Sequence, residues 1–253
     1  MPQPHSGPAP SRAGRFVRPA LAVVGALVGG VGLLAWVARP ARAQGVTVDE
    51  GAFTVSRRGA TLGREEFRIA REAGATSLTA RATGAYGERR IAPALQADAQ
   101  GSPERYQVEV RRGGAVEQRV SAQAAGTHFR AQSRGDAGEA AREFILEPGT
   151  VVVDDELYHQ YYFLVRRAGA AGAATRVPVL APRQGTQRLL WVTFAGTERL
   201  TIGGQSVEAR HYVLTDRAEG GVRREVWTDA QDRVLRVLLR DEGLDAVRTD
   251  APH

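Results

Sequence analysis

From Phe53 onward the chain places apolar side chains at alternate positions and breaks the pattern with glycine roughly every 8–14 residues. Tyr106, Val108 and Val110 give the cleanest example, and Gly113-Gly114 ends it. A period of two sends one face of a strand into a core and the other into water. A Gly-Gly pair supplies the positive φ angles of a tight hairpin turn. The same reading fits Phe53/Val55 before Arg58-Gly59, Phe67/Ile69 after Gly63, and Leu78/Ala80/Ala82 before Gly84. Phe144/Leu146 before Pro148-Gly149 follows suit, and Val151–Val153 forms a short buried segment. Breaks this short join antiparallel neighbours, because a parallel crossover needs a dozen residues or more.

Further strands are expected at Val177–Leu180, Leu189–Phe194, Leu200/Ile202 before Gly203-Gly204, Tyr212–Leu214, Val222–Trp227 and Val234–Leu239. One segment departs from this rule. Leu157, Tyr161, Leu164 and Val165 recur at helical spacing, with Asp154 and Asp155 before them and Arg166 and Arg167 behind. Acids at a helix start and cations at its end complement the helix dipole, so the spacing predicts a helix over about residues 155–168. Tyr158, Tyr162 and Phe163 widen its apolar surface beyond one stripe. The expected fold is mainly β: a curved antiparallel sheet or open barrel wrapped around one central helix.

The first 43 residues read separately. Arg12, Arg15 and Arg18 precede nineteen uncharged residues, Ala20 to Ala38, and Ala41-Arg42-Ala43 follows. A basic patch, an apolar run and a small-x-small site make an export signal, with cleavage expected after Ala43. Nineteen apolar residues also just span a bilayer, so an uncleaved anchor over residues 20–38 is the alternative. The chain has no cysteine to carry a lipid there. The expected organisation is a signal peptide over 1–43 and a single β-rich domain over 44–253, exported to the periplasm or the extracellular space. The membrane enters only if the leader stays uncleaved.

Charge follows from this division. The whole chain carries 34 basic residues, all arginine, against 28 acids. Five of the arginines and none of the acids lie in residues 1–43, which leaves 29 against 28 in the remainder. Nucleic-acid binding rests on clustered excess positive charge, and the body has almost none. Without cysteine there is no disulfide, thiolate nucleophile or sulfur-based metal site. A body of this length stands on its core instead, since domains of such size bury about 70% of their unfolded surface.

The chemical motifs are sparse. Glu156 and His159 have a Glu-x-x-His spacing seen in carboxylate-bridged metal sites, but those sites use two copies and this chain has one. Asp155 and His159, four apart, equally describe an acid–histidine pair on a solvated face. Ser206 follows a hairpin turn rather than the strand-to-helix elbow of a serine hydrolase. Asp154-Asp155 and Asp241-Glu242 are ordinary at element ends. No catalytic residue, metal ligand or cofactor site is assigned. Tyr158, Tyr161, Tyr162 and Phe163 on the helix, with Trp191 and Trp227 on separate strands, are either plain core or the wall of an apolar cavity.

Two stretches resemble exported bacterial β-rich proteins of unknown function. One is Gly51-x-Phe53-x-Val55-x-x-Arg58-Gly59-x-x-Leu62-Gly63-x-Glu65-x-Phe67-x-Ile69. The other runs from Gly196-Thr197-Glu198 through Ile202 and His211-Tyr212 to Glu225-Val226-Trp227-x-Asp229 and Arg233-Val234-Leu235-Arg236-Val237. Together they cover about a third of the chain. Proteins of this kind are distantly similar to periplasmic carriers of lipoproteins, which implies an open antiparallel barrel around helices, a compartment, and no transferable catalytic residue. The function expected is a non-enzymatic envelope binding module whose concave face takes an apolar ligand such as a lipid, or the acyl chain of a lipidated protein. Two alternatives stand beside it: an envelope scaffold that binds a protein partner, and a hydrolase using His159 or His211 with nearby acids.

Overall fold

The computed structural model describes residues 45–252 except 73, 137, 169–172 and 218–220, so the leader expected over 1–43 lies outside the described residues. Among the described residues, fifteen strands form one sheet. The first eight are β1 (Val46–Arg57), β2 (Ala60–Arg71), β3 (Leu78–Tyr86), β4 (Arg89–Ala97), β5 (Pro103–Arg112), β6 (Ala115–Ala125), β7 (His128–Gly135) and β8 (Gly138–Ile145). The rest are β9 (Val151–Val152), β10 (Thr175–Ala181), β11 (Thr186–Ile202), β12 (Gln205–Thr215), β13 (Arg223–Thr228), β14 (Val234–Leu239) and β15 (Leu244–Arg248). All neighbours are antiparallel except β9 and β10.

The spatial order is β8 to β1, then β15 down to β9. First and last strands are therefore partners, with Phe53 opposite Arg248 and Arg57 opposite Leu244. These strands make an up-and-down meander bent round on itself, with its two ends, β8 and β9, unpaired to each other. Side chains reach across the seam between them. Gln187 donates to the Ile145 carbonyl at 3.0 Å, and Gln118 donates to that of Arg183 at 3.1 Å. At the predicted Gly113-Gly114 turn φ is 55° and 88°, as a two-residue hairpin of primed type requires.

The inward face and the segment threaded through the barrel make one core. Phe53 and Phe67 stack at 5.1 Å, and Tyr158 closes on Phe53 at 6.4 Å. Every residue from Leu157 to Val165 is buried. The central element is shorter than 155–168: a 3₁₀ turn at Tyr158–Gln160 runs into α1 (Tyr161–Val165). Two local causes shorten it. Glu156 sits at φ 67°, a left-handed conformation that breaks a helix of L-residues. Asp154, expected as a cap, turns inward to other partners, and no side chain caps the turn locally.

A second, smaller core lies on the outward face of the C-terminal strands, made of Ile202, Ala209, Trp227 and Leu235. Two bulges create it. Phe194 faces Tyr212 while Gly196 faces His211, so residue 195 is extra and the parity of β11 flips. Gly196, at φ 135°, takes the backbone angle this needs. A second irregularity between Trp227 and Thr228 aims Leu235 outward beneath Trp227. Among the described residues no helix is long and apolar enough to cross a membrane.

Candidate functional site

Glu65, on the inward face of β2, replaces the missing helix cap. Its Oε2 accepts the Tyr158 N–H at 2.6 Å and its Oε1 the His159 N–H at 3.4 Å. The same Oε1 pairs with His159 Nδ1, both side chains being fully buried. Phe67 stacks on the His159 ring at 6.0 Å and carries the Arg248 guanidinium at 5.3 Å. Arg248 in turn forms a buried ion pair with Asp49 at 2.8 Å.

Asp154 is held from both halves of the barrel. The Tyr106 hydroxyl on β5 donates to it at 2.6 Å, and the Arg183 N–H beyond β10 donates at 3.1 Å. Burial pushes its carboxyl up to about 6, against the lowering pull of these two partners. Burial likewise drives the Tyr106 hydroxyl well above its ordinary range, with the Asp154 charge adding to it. That phenol stays protonated and serves as a donor. These groups are structural, tying the plug to the wall.

At one end of the barrel the hairpin turns after β1, β3 and β5 converge with the β14–β15 turn, where the Arg58 N–H donates to the Gly243 carbonyl at 2.8 Å. Residues 155–156 cross this mouth as a strap. The Tyr86 hydroxyl donates to the Glu156 carbonyl at 2.8 Å, and Arg89 pairs with the Glu156 carboxylate at 2.7 Å. Arg183 reaches the same carboxylate at 3.5 Å and the Asp155 carbonyl at 2.8 Å. Beneath lies a cavity of about 400 Å³. Val55, Leu62, Leu244 and the rings of Tyr86 and Tyr158 form its apolar part. Arg57, Arg89 and Arg112 line its polar rim. Arg112 pairs with Glu117 at 3.3 Å. Arg57 is exposed and has no ion pair or hydrogen bond among the described residues.

The six aromatic residues singled out by sequence are not brought together. Tyr158, Tyr161, Tyr162 and Phe163 fill the barrel interior, each no more than 5% exposed, and of these Tyr158 reaches the mouth cavity. Trp191 lies half-buried on the outer face under Arg176, at 5.7 Å. Trp227 also faces outward, stacked on His211 at 4.5 Å with Arg236 on it at 5.0 Å, and donates its indole N–H to Glu198. Plain alternation is the cause: Leu190 and Val192 point inward on either side of Trp191, and Val226 points inward beside Trp227.

Glu156 and His159 part company as well. The first faces the mouth and the second points into the core, because the helix that would align them does not begin until Tyr158. Among the described residues no group of three or more His, Asp or Glu is placed to hold a metal ion. Each histidine of the hydrolase reading has an acid partner: Glu65 for His159, and Glu225 at 2.9 Å for His211. They lie on opposite faces of the sheet, His159 sealed from solvent and His211 flat against Trp227. The mouth arginines escaped the sequence reading because arginine beside a hairpin turn looks like an ordinary solvated residue. The usable signal was Arg57, Arg89 and Arg112, each at a turn and each two or three residues from an inward-facing apolar position.

A family profile described as "Domain of unknown function (DUF6134)" matches residues 104–249. A solved structure, "Crystal Structure of Beta-barrel-like Protein of Domain of Unknown Function DUF1849 from Brucella abortus", superposes with a TM-score of 0.50 over 79% of this chain and 95% of that one, at 10% identity. That likeness shows the fold alone. No curated protein matches the chain.

Proposed function

The chain belongs to the DUF6134 family, and from that premise we propose that it is a non-enzymatic binding module of the cell envelope whose mouth cavity seats an amphiphile. The acyl portion lies on Val55, Leu62 and Leu244, and Arg57 meets an anionic headgroup at the rim. The observation that carries this reading is an apolar hollow beside a guanidinium with no partner among the described residues. A volume of about 400 Å³ falls within the 300–1,000 Å³ range of small-ligand sites. The filled interior around Phe163 turns the ligand's seat from the barrel axis to its mouth. Delivery to the envelope rests on the apolar run 20–38 and cleavage after Ala43, so the exported protein begins at Gln44.

The test uses dodecanoate, titrated calorimetrically against the exported protein. Saturable binding to one site is expected, weakened about tenfold or more by Arg57→Gln, since a hydrogen bond to a charged group contributes about 1.5–3 kcal/mol. Leu62→Glu, which places a charge in the apolar part, abolishes it. Absence of binding, or equal binding by both variants, overturns the proposal. A protein-binding scaffold has its own support in β8, which pairs with β7 alone along its length and has its side chains exposed except Phe144; edge strands of this kind accept an added strand.

A further inference from the structure

The outward face of β4–β8 carries an ordered arrangement of polar side chains that neither the core nor the mouth uses. Strand register places Ala94, Gln107, Ser121, Gln132 and Ala141 in one line across the five strands. A second line beside it holds Glu109, Arg119, Arg134 and Glu139. A third, on the other side, holds Arg105, Gln123, Arg130 and Glu143. The middle line is short and uncharged, and the flanking lines are long. Two adjoining hollows of about 690 and 380 Å³ result, both lined by Gln107, Ser121 and Gln132.

Most of the charges in the walls are already matched. Arg119 pairs with Glu109, Arg134 with Glu139, and Arg130 with Glu143. Arg105 alone of the four wall arginines has no ion pair or hydrogen bond among the described residues. The face is thus close to neutral with one cation to spare, which disfavours a polyanion. No outward side chain of the middle line is larger in apolar area than alanine, which disfavours an acyl chain. The backbone amides of β5, β6 and β7 are committed on both sides to strand pairing, so an extended peptide gains no ladder hydrogen bonds here. What remains is a row of amide, hydroxyl and amide groups, Gln107, Ser121 and Gln132, one per strand at the ~4.8 Å spacing of neighbouring strands, with the Arg105 guanidinium at its border. Each amide offers both donors and an acceptor, and each hydroxyl one of either.

We infer that this groove is a second binding site, for a linear glycan lying across the strands with about one sugar ring above each strand. Hydroxyl-rich rings of similar length present donors and acceptors at every step, as the Gln107–Ser121–Gln132 line does. Arg105 at the border meets an acidic or acetylated substituent. The site is separate from the mouth cavity, whose apolar part is built on the inward face.

Chitohexaose and cellohexaose are the probes, titrated against the intact protein by calorimetry and by chemical-shift mapping. At least one binds, and the perturbed amides cluster on β5–β7. Gln107→Ala with Gln132→Ala weakens that binding tenfold or more while dodecanoate binding at the mouth stays unchanged. Because both positions are exposed, an unaltered melting temperature separates lost binding from lost fold. No binding of either sugar at millimolar concentration, perturbations confined to another face, or undiminished binding by the double variant each overturn the inference. Binding of an unstructured peptide in place of the sugars on these strands also overturns it.

Discussion

The two halves of this sheet solve the same packing problem differently. In β1–β8 burial alternates: Glu65, Phe67 and Ile69 point inward from β2, and the residues between them are exposed. In β13 five consecutive residues, Arg224 to Thr228, are all buried, because both faces of the C-terminal strands are covered. A strand with one wet face reads as alternation, and a strand with two dry faces reads as a continuous run. The first half leaves its outer surface open to solvent. The second spends that surface on a small outer core around Trp227, and must find partners for every polar group caught within it. Glu225, 1% exposed, meets Arg240 and His211. Burial pushes its carboxyl up, and Arg240, Arg223 and His211 pull it below the usual range.

The largest effect is expected where the outer core is thickest. Trp227→Ala removes the ring that covers Leu235 and Ile202 and carries His211, and its cost is about 3–5 kcal/mol for a buried aromatic truncated to alanine. Urea unfolding followed by circular dichroism measures it. A loss under 1 kcal/mol would mean that the outward face of the second half is as dispensable as that of the first.

How much of this was written in the sequence differs between the halves for the same reason. Tyr106, Val108 and Val110 in alternation specify both the strand β5 and the face that turns inward. Val222 to Trp227 specifies a strand but no face, since a run without a period looks the same from either side. That Ile202 and Leu235 turn outward to meet Trp227 depends on extra residues at 195 and 235, whose effect appears only once partner strands are aligned. The buried segment Leu157–Val165 was legible from its apolar content. Its true cap was not, because Glu65 is 93 residues away from Tyr158 in the chain. The closure of β1 on β15 joins residues separated by nearly the whole domain, and no local pattern announces it. The mouth cavity is a product of that closure, bringing Val55 and Leu244 side by side.

Next in size is a pH effect at the residue that links the halves. Asp154 accepts one hydrogen bond from β5 and one from the turn after β10. Its carboxyl titrates at about 6 in the fold against 3.8 when free. A raised value means that the fold favours the protonated form. Its contribution is full below pH 4, falls as pH rises through 4 to 6, and is gone above that. Two pH units correspond to about 3 kcal/mol. Asp154→Asn cannot ionise, so the variant's unfolding free energy should drop less between pH 4 and 6.5 than that of the parent protein. A residual drop is expected from Asp49, whose carboxyl burial also raises. Identical slopes in the two proteins would show that Asp154 does not couple the halves in this way.

The smallest effect is the sharpest test of the contrast, because it predicts almost nothing. Glu109 on β5 occupies the outward face, as Trp227 does on β13, and makes ion pairs with Arg111 and Arg119. Those partners hold its carboxyl below the usual range, yet exposed ion pairs contribute little once solvent and side-chain entropy are counted. Glu109→Gln should therefore leave the urea midpoint unchanged within the scatter of repeat measurements. If the loss instead approached that of Trp227→Ala, the outer face of the first half would be a folded layer in its own right. Its polar lines would then be scaffolding and not a surface kept free to meet a ligand.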